Sequence, residues 1–541
     1  MQRYAALGGK MDISVFEVLG PVMIGPSSSS TAGMARLGWV TGKFVNASNE
    51  DIAEINLKFH PRHMDYAGTR SHLGLIGGVL GMREYDNNLK YSLDKAKELG
   101  IRVTASCFKE PLPKSGLTVA TTVVLKNGER TTVTGVSVGG GSIDIIGINV
   151  FTVYLSATEK HIFIWADRNI FDKLYALMPD ANKLKLSINK GHFLFYSGVS
   201  VETDENSKLY ADILAMEGVE KIIFIDPFLS FGSTDNEKLF TSFEQLMSLS
   251  KESGKDIAEL AIEYEMQRSG RAREDIWEEM AKTLYYMRET VDTGLNGEVK
   301  TLFGFDPGDD GKKMMHAFES GRTLSGSTMA RAFAKAMATM EVGESMGRIV
   351  AAPTGGSAGI VPGCLLTVQE DKGYSDEELI RALFAAAAAG IGLYYHEVSF
   401  SGMGGGCQGE IGVSSAIAAS ALAYLGGADT EGCCHAMALA MKNILGLVCD
   451  RIAGSSEIPC TTRNCIGVAN AFAGCDMALA GIRSYVSPDS VAVALRNTEN
   501  LLPAQLRGGE GALRITPESK KAREIEDTMN KSQSLPVVDC F

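Results

Sequence analysis

Along this 541-residue chain the spacing of apolar and polar positions changes twice, giving three stretches of different character. In the first, Leu117–Leu125 and Thr131–Val138 alternate apolar with polar, the two-residue period of a half-buried strand. Lys126-Asn127-Gly128-Glu129 separates the two runs, so they predict a hairpin. Upstream, Phe16–Ile24 is apolar and ends at Gly25-Pro26. Four serines follow, Ser27 to Ser30, and then Thr31 to Gly38. This reads as a strand or loop, a hydroxyl-rich cap and a helix. Gly139-Gly140-Gly141 breaks the chain.

The second stretch places strand-like Val150–Trp165 and Lys183–Val199 around a helical pattern at Ile170–Met178. A helix (Lys208–Met216) and a strand (Lys221–Ile225) follow. The order β-α-β-β-α-β suits a ferredoxin-like sandwich, and an ACT-type regulatory module has related content. From about 240 onward the pattern is helical. Met247–Met287 reads as a long amphipathic helix. Thr328–Met340, Asp376–Tyr395, Gly412–Leu425, Gly432–Leu447 and Asp489–Glu499 follow, with glycine-rich breaks at Pro353–Gly359 and Ser401–Gly406. The expected fold class is α+β and multidomain: an α/β domain over 11–142, an ACT-like module over 145–235, an all-α catalytic domain over 240–516 and a tail over 517–541.

Charge and composition narrow the function. The net charge is −13 and no basic run carries interleaved aromatics, which excludes a nucleic-acid partner. The apolar runs Phe384–Tyr395 and Ser414–Leu425 fall short of the ~20 residues of a membrane span, so buried helices and no membrane partner are expected. Met1–Lys10 lacks an apolar leader segment, and a cytoplasmic protein is expected. Eight of the ten cysteines lie between Cys407 and Cys540. In a reducing compartment, clustered cysteines act as metal ligands, catalytic groups or small buried hydrophobes.

Two motifs concentrate that chemistry. Ser401-Gly-Met-Gly-Gly-Gly-Cys407-Gln-Gly-Glu410 puts a cysteine after a run of glycines, which let backbone approach a bulky ligand. A cysteine opening a helix would have its thiolate favoured there. The alternative is a tight turn with a buried thiol. In Gly446–Cys460, Cys449 and Cys460 stand eleven positions apart with Gly454 and Pro459 between them. This is no CxxC pair, so a zinc knuckle is disfavoured. An iron–sulfur cluster held by loops and two buried thiols flanking a turn both remain open.

Together with Ser345–Gly359 and Thr461-Thr-Arg-Asn464, these segments resemble the catalytic α-domain of the iron–sulfur L-serine dehydratases. The resemblance covers about 320–515 closely and extends to the family's β-domain over about 13–140. It implies a [4Fe–4S] cluster on Cys407, Cys449 and Cys460, with Cys540 of the tail as a displaceable ligand. It also implies a homodimer and a small amino-acid substrate, serine, which β-elimination of water converts to pyruvate and ammonia. Cys433, Cys434, Cys465 and Cys475 read as core.

Ser27, Ser28, Ser29, Ser30 and Thr31 resemble the family's Gly-Pro-Ser-Ser-Ser-His-Thr signature, and suit a substrate carboxylate. Ser30 stands where the histidine is expected. Ala67 and Arg70 replace the histidine and the acid of a second family segment. The general base is therefore open among His72, His63 and His396. Arg70 suits a second carboxylate. Ser345, Thr354 and Ser357 are further carboxylate candidates, and Glu410 or Asp450 candidate outer groups beside the cluster. Two other readings stand: the same cluster chemistry on another β-hydroxy or β-thiol acid, and a non-catalytic amino-acid or redox sensor.

Overall fold

The computed structural model describes residues 13–60, 66, 68–108, 117–155, 159–200, 202–227, 237–305, 308–509, 511–533 and 535–538. It is a mixed α/β structure with an N-terminal sheet region and a helical C-terminal part. Phe16–Ile24 is not one strand. Ser14 and Glu17 form a reciprocal capping box that nucleates a helical turn, Val15–Val18, and β1 spans only Val22–Ile24. Ile13, Val15, Phe16, Val18 and Leu19 bury themselves with Tyr264 and Phe384 of the helical part. The segment at 13–24 therefore packs outside the sheet expected over 11–142.

That sheet has six strands: β2 (Ile52–Phe59), β3 (Arg102–Cys107), β4 (Leu117–Leu125), β5 (Arg130–Gly139), β6 (Ser142–Ile148) and β7 (Phe151–Leu155). Their order is β3-β2-β4-β5-β6-β7, with β2 and β3 parallel and the rest antiparallel. The predicted hairpin is β4–β5, closed by Gly128 at φ 89°. The three glycines at 139–141 form the β5–β6 turn, all at positive φ. Strands β6 and β7 carry this sheet to 155, beyond the expected boundary at 142. Helices Gly33–Val45 and Ser71–Val79 cover it in close contact: a Cβ on Gly38 would lie 2.2 Å from the Leu75 carbonyl oxygen.

A second sheet holds β8 (Lys160–Ala166), β9 (Lys185–Asn189), β10 (His192–Val199) and β11 (Val219–Ile225). Its order is β11-β8-β10-β9, all antiparallel, with helices Phe171–Leu177 and Lys208–Leu214 completing β-α-β-β-α-β. Val150–Trp165 is thus divided between two sheets. Lys183–Val199 is a hairpin turning at Lys190-Gly191.

The long helix expected over Met247–Met287 is three: Phe243–Ser253, Ile257–Ser269 and Arg273–Asn296. Gly254 and Gly270, at φ 71° and 72°, end the first two in left-handed caps, and Asp256 caps the second. Asp376–Tyr395, with its Ser375/Glu378 capping box, runs through the core. Its alanines, Ala385 to Ala389, are at most 1% exposed, so neighbouring helices approach closely. It is long and apolar enough to cross a membrane, yet most of it is buried among other helices. Strand β12 (Arg348–Val350) pairs antiparallel with β1 and stitches the N-terminal segment to the helical part. After helix Pro517–Gln533, residues 535–538 run beside β3: Ala105 N–H donates to the Pro536 carbonyl (3.0 Å), and Val538 N–H to that of Ala105 (2.8 Å). Cys540, His63 and Ala67 lie outside the described residues.

Candidate active site

Three irregular backbone segments each deliver one cysteine. Gly406, at φ 78°, ends the glycine run and turns the chain into a short 3-10 turn, Cys407–Gly409. Cys407 sits there, one turn ahead of helix Ile411–Leu425 rather than at its opening. Cys449 is in extended backbone, its N–H donating to the Leu506 carbonyl (2.9 Å) and its carbonyl accepting from Gly508 N–H (2.7 Å). Ile458 is non-helical, so the helical backbone that runs to Leu479 begins at Pro459 and Cys460 falls in its first turn. All three cysteines are 1–2% exposed.

The donor atoms of Cys407, Glu410 and Cys449 lie within 4.8 Å of one another. Cys449 and Cys460 line one cavity with Glu410, Arg451, Ser401, Gly402 and Met403; Pro26 and Ser27 to Ser30 close it from the N-terminal segment. Gly402 is required by closeness: a Cβ there would sit 2.4 Å from Glu410 Oε2 and 2.9 Å from Cys449 Sγ. Gly402, at the head of the glycine run, thus leaves room beside the Cys449 sulfur, whereas Gly404 and Gly405 face Ser399 and Glu499.

Electrostatics favour a cation at this point. A hydrogen bond to Cys449, then burial, push the Cys407 thiol up; burial does the same to Cys460. Cys449 is held down, first by the hydrogen bond from Cys407 and also by the charges of Arg451 and Arg463. Burial raises the Glu410 carboxyl, opposed by Arg451 and by hydrogen bonds from Thr354 and the Gly402 backbone. Burial favours the protonated forms of Cys407, Cys460 and Glu410, and a bound cation would supply the charge that lets them ionise as ligands. The donor set, three soft thiolates and a carboxylate, suits iron.

Arg463 ties the site together. It pairs with buried Asp450 at 2.6 Å, donates to the Val448 carbonyl at 2.9 Å and reaches Cys407 Sγ at 3.5 Å. Asp450 therefore acts on the cysteines through Arg463. Sequence reasoning assigned no role to Arg451, Arg463 or Ser456, although Gly446–Cys460 and Thr461–Asn464, which hold them, were among the segments it singled out.

The serines wind into one wide turn, with Thr31 and Ala32 N–H donating to the Ser27 carbonyl and Ser30 N–H to Ser27 Oγ. Ser28 Oγ accepts from Gly355 N–H at 3.4 Å, docking the turn on the Pro353–Gly359 loop. Other candidates lie off the cavity wall. Thr31 donates to the Thr69 carbonyl at 2.7 Å. Ser345 and Ser357 return their hydroxyls to the carbonyls of Val342 and Ala352. Thr354 reaches the site through Glu410. Arg70, 3% exposed, is lowered to about 10 by burial against the attraction of Glu457 and Glu344, which compensate it inside the protein.

Among the described residues no histidine lines the cavity. His72 is fully buried edge-on to Tyr66, and burial, with the Arg70 charge added, pushes it down to about 3. It does not line the cavity, which does not fit the role of general base expected for it. His396 holds Asp489 at 3.1 Å and the Gly392 carbonyl at 2.7 Å, fastening two helices.

Glu499 braces the loop that carries the glycine run. It is 5% exposed and accepts Ser399 N–H at 3.1 Å. Burial raises its carboxyl to about 7. A carboxyl raised in the folded state contributes stability at acid pH that is lost as pH climbs through 7. Glu499→Gln should match wild type near pH 5 and exceed it near pH 8 by up to ~3 kcal/mol, measured by urea melts at both pH values. Equal midpoints at pH 8 would refute this.

Comparison with known proteins matches the helical part of the chain to one family. The model of the family "Serine dehydratase alpha chain" matches residues 252–511, which include all three cysteines and Glu410. The probable L-serine dehydratase alpha chain of Bacillus subtilis (strain 168) is 40% identical over 289 residues, 53% of this chain and 94% of the relative. The L-serine dehydratase alpha chain of Peptoniphilus asaccharolyticus is 36% identical over 53% of this chain and 97% of its own. L-serine dehydratase 1 of Escherichia coli (strain K12) is 32% identical over 50% of this chain and 60% of its own. The chain belongs to the serine dehydratase alpha chain family, whose named members here are L-serine dehydratases, that is, hydro-lyases.

Proposed function

We propose that this chain is a [4Fe–4S]-dependent L-serine dehydratase, with Cys407, Cys449 and Cys460 holding the cluster. One observation carries the reading: Cys449 and Cys460, with Cys407 in contact behind them, face the serine turn across a single cavity. A cluster bound there supplies a Lewis-acidic iron for the departing hydroxyl. The chain's own residues do the rest. The hydroxyls of Ser27 to Ser30 take the substrate carboxylate, Arg451 adds positive charge, and the buried walls exclude water. Loss of the α-proton and the β-hydroxyl gives an enamine, whose tautomer adds water and releases ammonia and pyruvate. We further propose that the four-stranded module is ACT-like and regulatory, and that the protein is a cytoplasmic homodimer.

A second reading keeps the cluster and changes the acid. Ser30 lines the cavity where the resemblance expects histidine, which leaves room for another β-hydroxy or β-thiol acid. The test is anaerobic purification, iron and sulfide assay, then L-serine with a pyruvate assay. A brown protein with about four irons that forms pyruvate is the expected result. A brown protein inert to serine moves the substrate to the second reading. A protein that stays colourless after reconstitution overturns the cluster and leaves the sensor reading ahead.

A further inference from the structure

We propose that the Glu410 carboxylate is a fourth protein ligand at this centre, completing a three-thiolate, one-carboxylate set from which substrate displaces it. The inference rests on the cluster reading above and deepens it. A three-cysteine set leaves one iron without a thiolate. The carboxylate placed to fill that position is already among the sulfurs: Glu410 lies within 4.8 Å of both Cys407 and Cys449 at its donor atoms, and it lines the same cavity as Cys460.

The backbone fixes it there. Glu410 is the single residue between the 3-10 turn that carries Cys407 and helix Ile411–Leu425, so thiolate and carboxylate share one rigid junction. Thr354 and the Gly402 backbone stand beside its oxygens and favour its charged form, as groups around a ligating carboxylate do. Gly402 keeps the space around it open: a Cβ there would sit 2.4 Å from Oε2. A mere surface charge needs none of these accommodations.

The competing ligand is Cys540. The described chain before it, 535–538, is bound along β3 at the edge of the six-stranded sheet. Displacement would need no redox partner: a substrate oxygen would take the place of the Glu410 oxygen, a ligand exchange with no change of oxidation state.

Iron-57 Mössbauer spectra of the full-length, anaerobically purified, substrate-free protein test this directly. The expected result is one iron subsite distinct from the other three in wild type. Glu410→Gln should change that subsite, Cys540→Ala should leave it as it is, and L-serine should shift it in wild type. A spectrum altered by Cys540→Ala but not by Glu410→Gln overturns the proposal in favour of the tail. A spectrum altered by neither overturns it in favour of solvent. If Glu410→Gln holds no iron, wild type grown on glutamate labelled with carbon-13 at the carboxyl is reduced and examined by ENDOR. A carbon-13 coupling supports ligation, and its absence overturns it. A wild type without iron and sulfide overturns the function proposed above together with this inference, whereas an intact cluster insensitive to Glu410 overturns this inference alone.

Discussion

Cys449→Ala is expected to yield a folded chain that retains less than one iron, where wild type holds about four. Cys449 has no slack. Its N–H and carbonyl are both clamped by the strand-like segment at Leu506–Gly508, and no other described cysteine shares its cavity except Cys460. Dehydratase activity should fall by more than ~100-fold, since loss of even the groups that support a ligand costs that much. The control is Cys433→Ala. Cys433 is fully buried on helix Thr430–Lys442, in the core and off the cavity wall, so iron and colour should persist. Parallel iron, sulfide and circular dichroism measurements check the pair. Equal iron in Cys449→Ala and wild type would sink the ligand assignment, and equal loss in both variants would mean that packing, not ligation, is being measured.

Some of this was legible in the chain and some was not, for physical reasons. The β4–β5 hairpin showed because a two-residue alternation and an Asn-Gly turn are local signals. Cysteines at 407, 449 and 460 showed because glycine and proline bracket them, and irregular backbone is written in those residues. Glycines 254 and 270 carried the helix breaks within Met247–Met287, but the amphipathic pattern runs on through them and masked the breaks. Other features were invisible because their cause lies far away in sequence. Arg463 finds Asp450 and Cys407 only after the loop at 454–458 folds back. Val150–Trp165 reads as continuous because both of its halves are strands, and only pairing partners reveal that they belong to different sheets. His72 looked available because it is near the expected histidine in sequence; the fold buries it behind Tyr66 instead.

The N-terminal segment is the clearest case of a long-range cause, and Glu265→Gln should expose it. Glu265 is fully buried and accepts four hydrogen bonds: from Ser14 Oγ (3.0 Å), Val15 N–H (3.0 Å), and Arg268 Nε (3.1 Å) and Nη2 (2.7 Å). Arg268 is 1% exposed. Removing the carboxylate charge breaks a buried, hydrogen-bonded ion pair, which costs about 3–5 kcal/mol. An exposed pair such as Lys282–Glu278, with side chains 55% and 68% exposed, is worth at most ~1 kcal/mol, so Glu278→Gln is the reference variant. The loss should also be directional. Residues 13–24 are held by Glu265 at one end and by β12 at the other, and they lead straight into Ser27 to Ser30. Hydrogen exchange should therefore speed up over 13–24 and 348–350 well before it does in the four-stranded module at 160–225. Because the serine turn binds the substrate carboxylate in the proposed reaction, KM for serine should rise more than kcat falls. An unchanged urea midpoint with unchanged exchange over 13–24 would show that the N-terminal segment is anchored by its apolar contacts with Tyr264 and Phe384 and that the buried ion pair adds nothing to them.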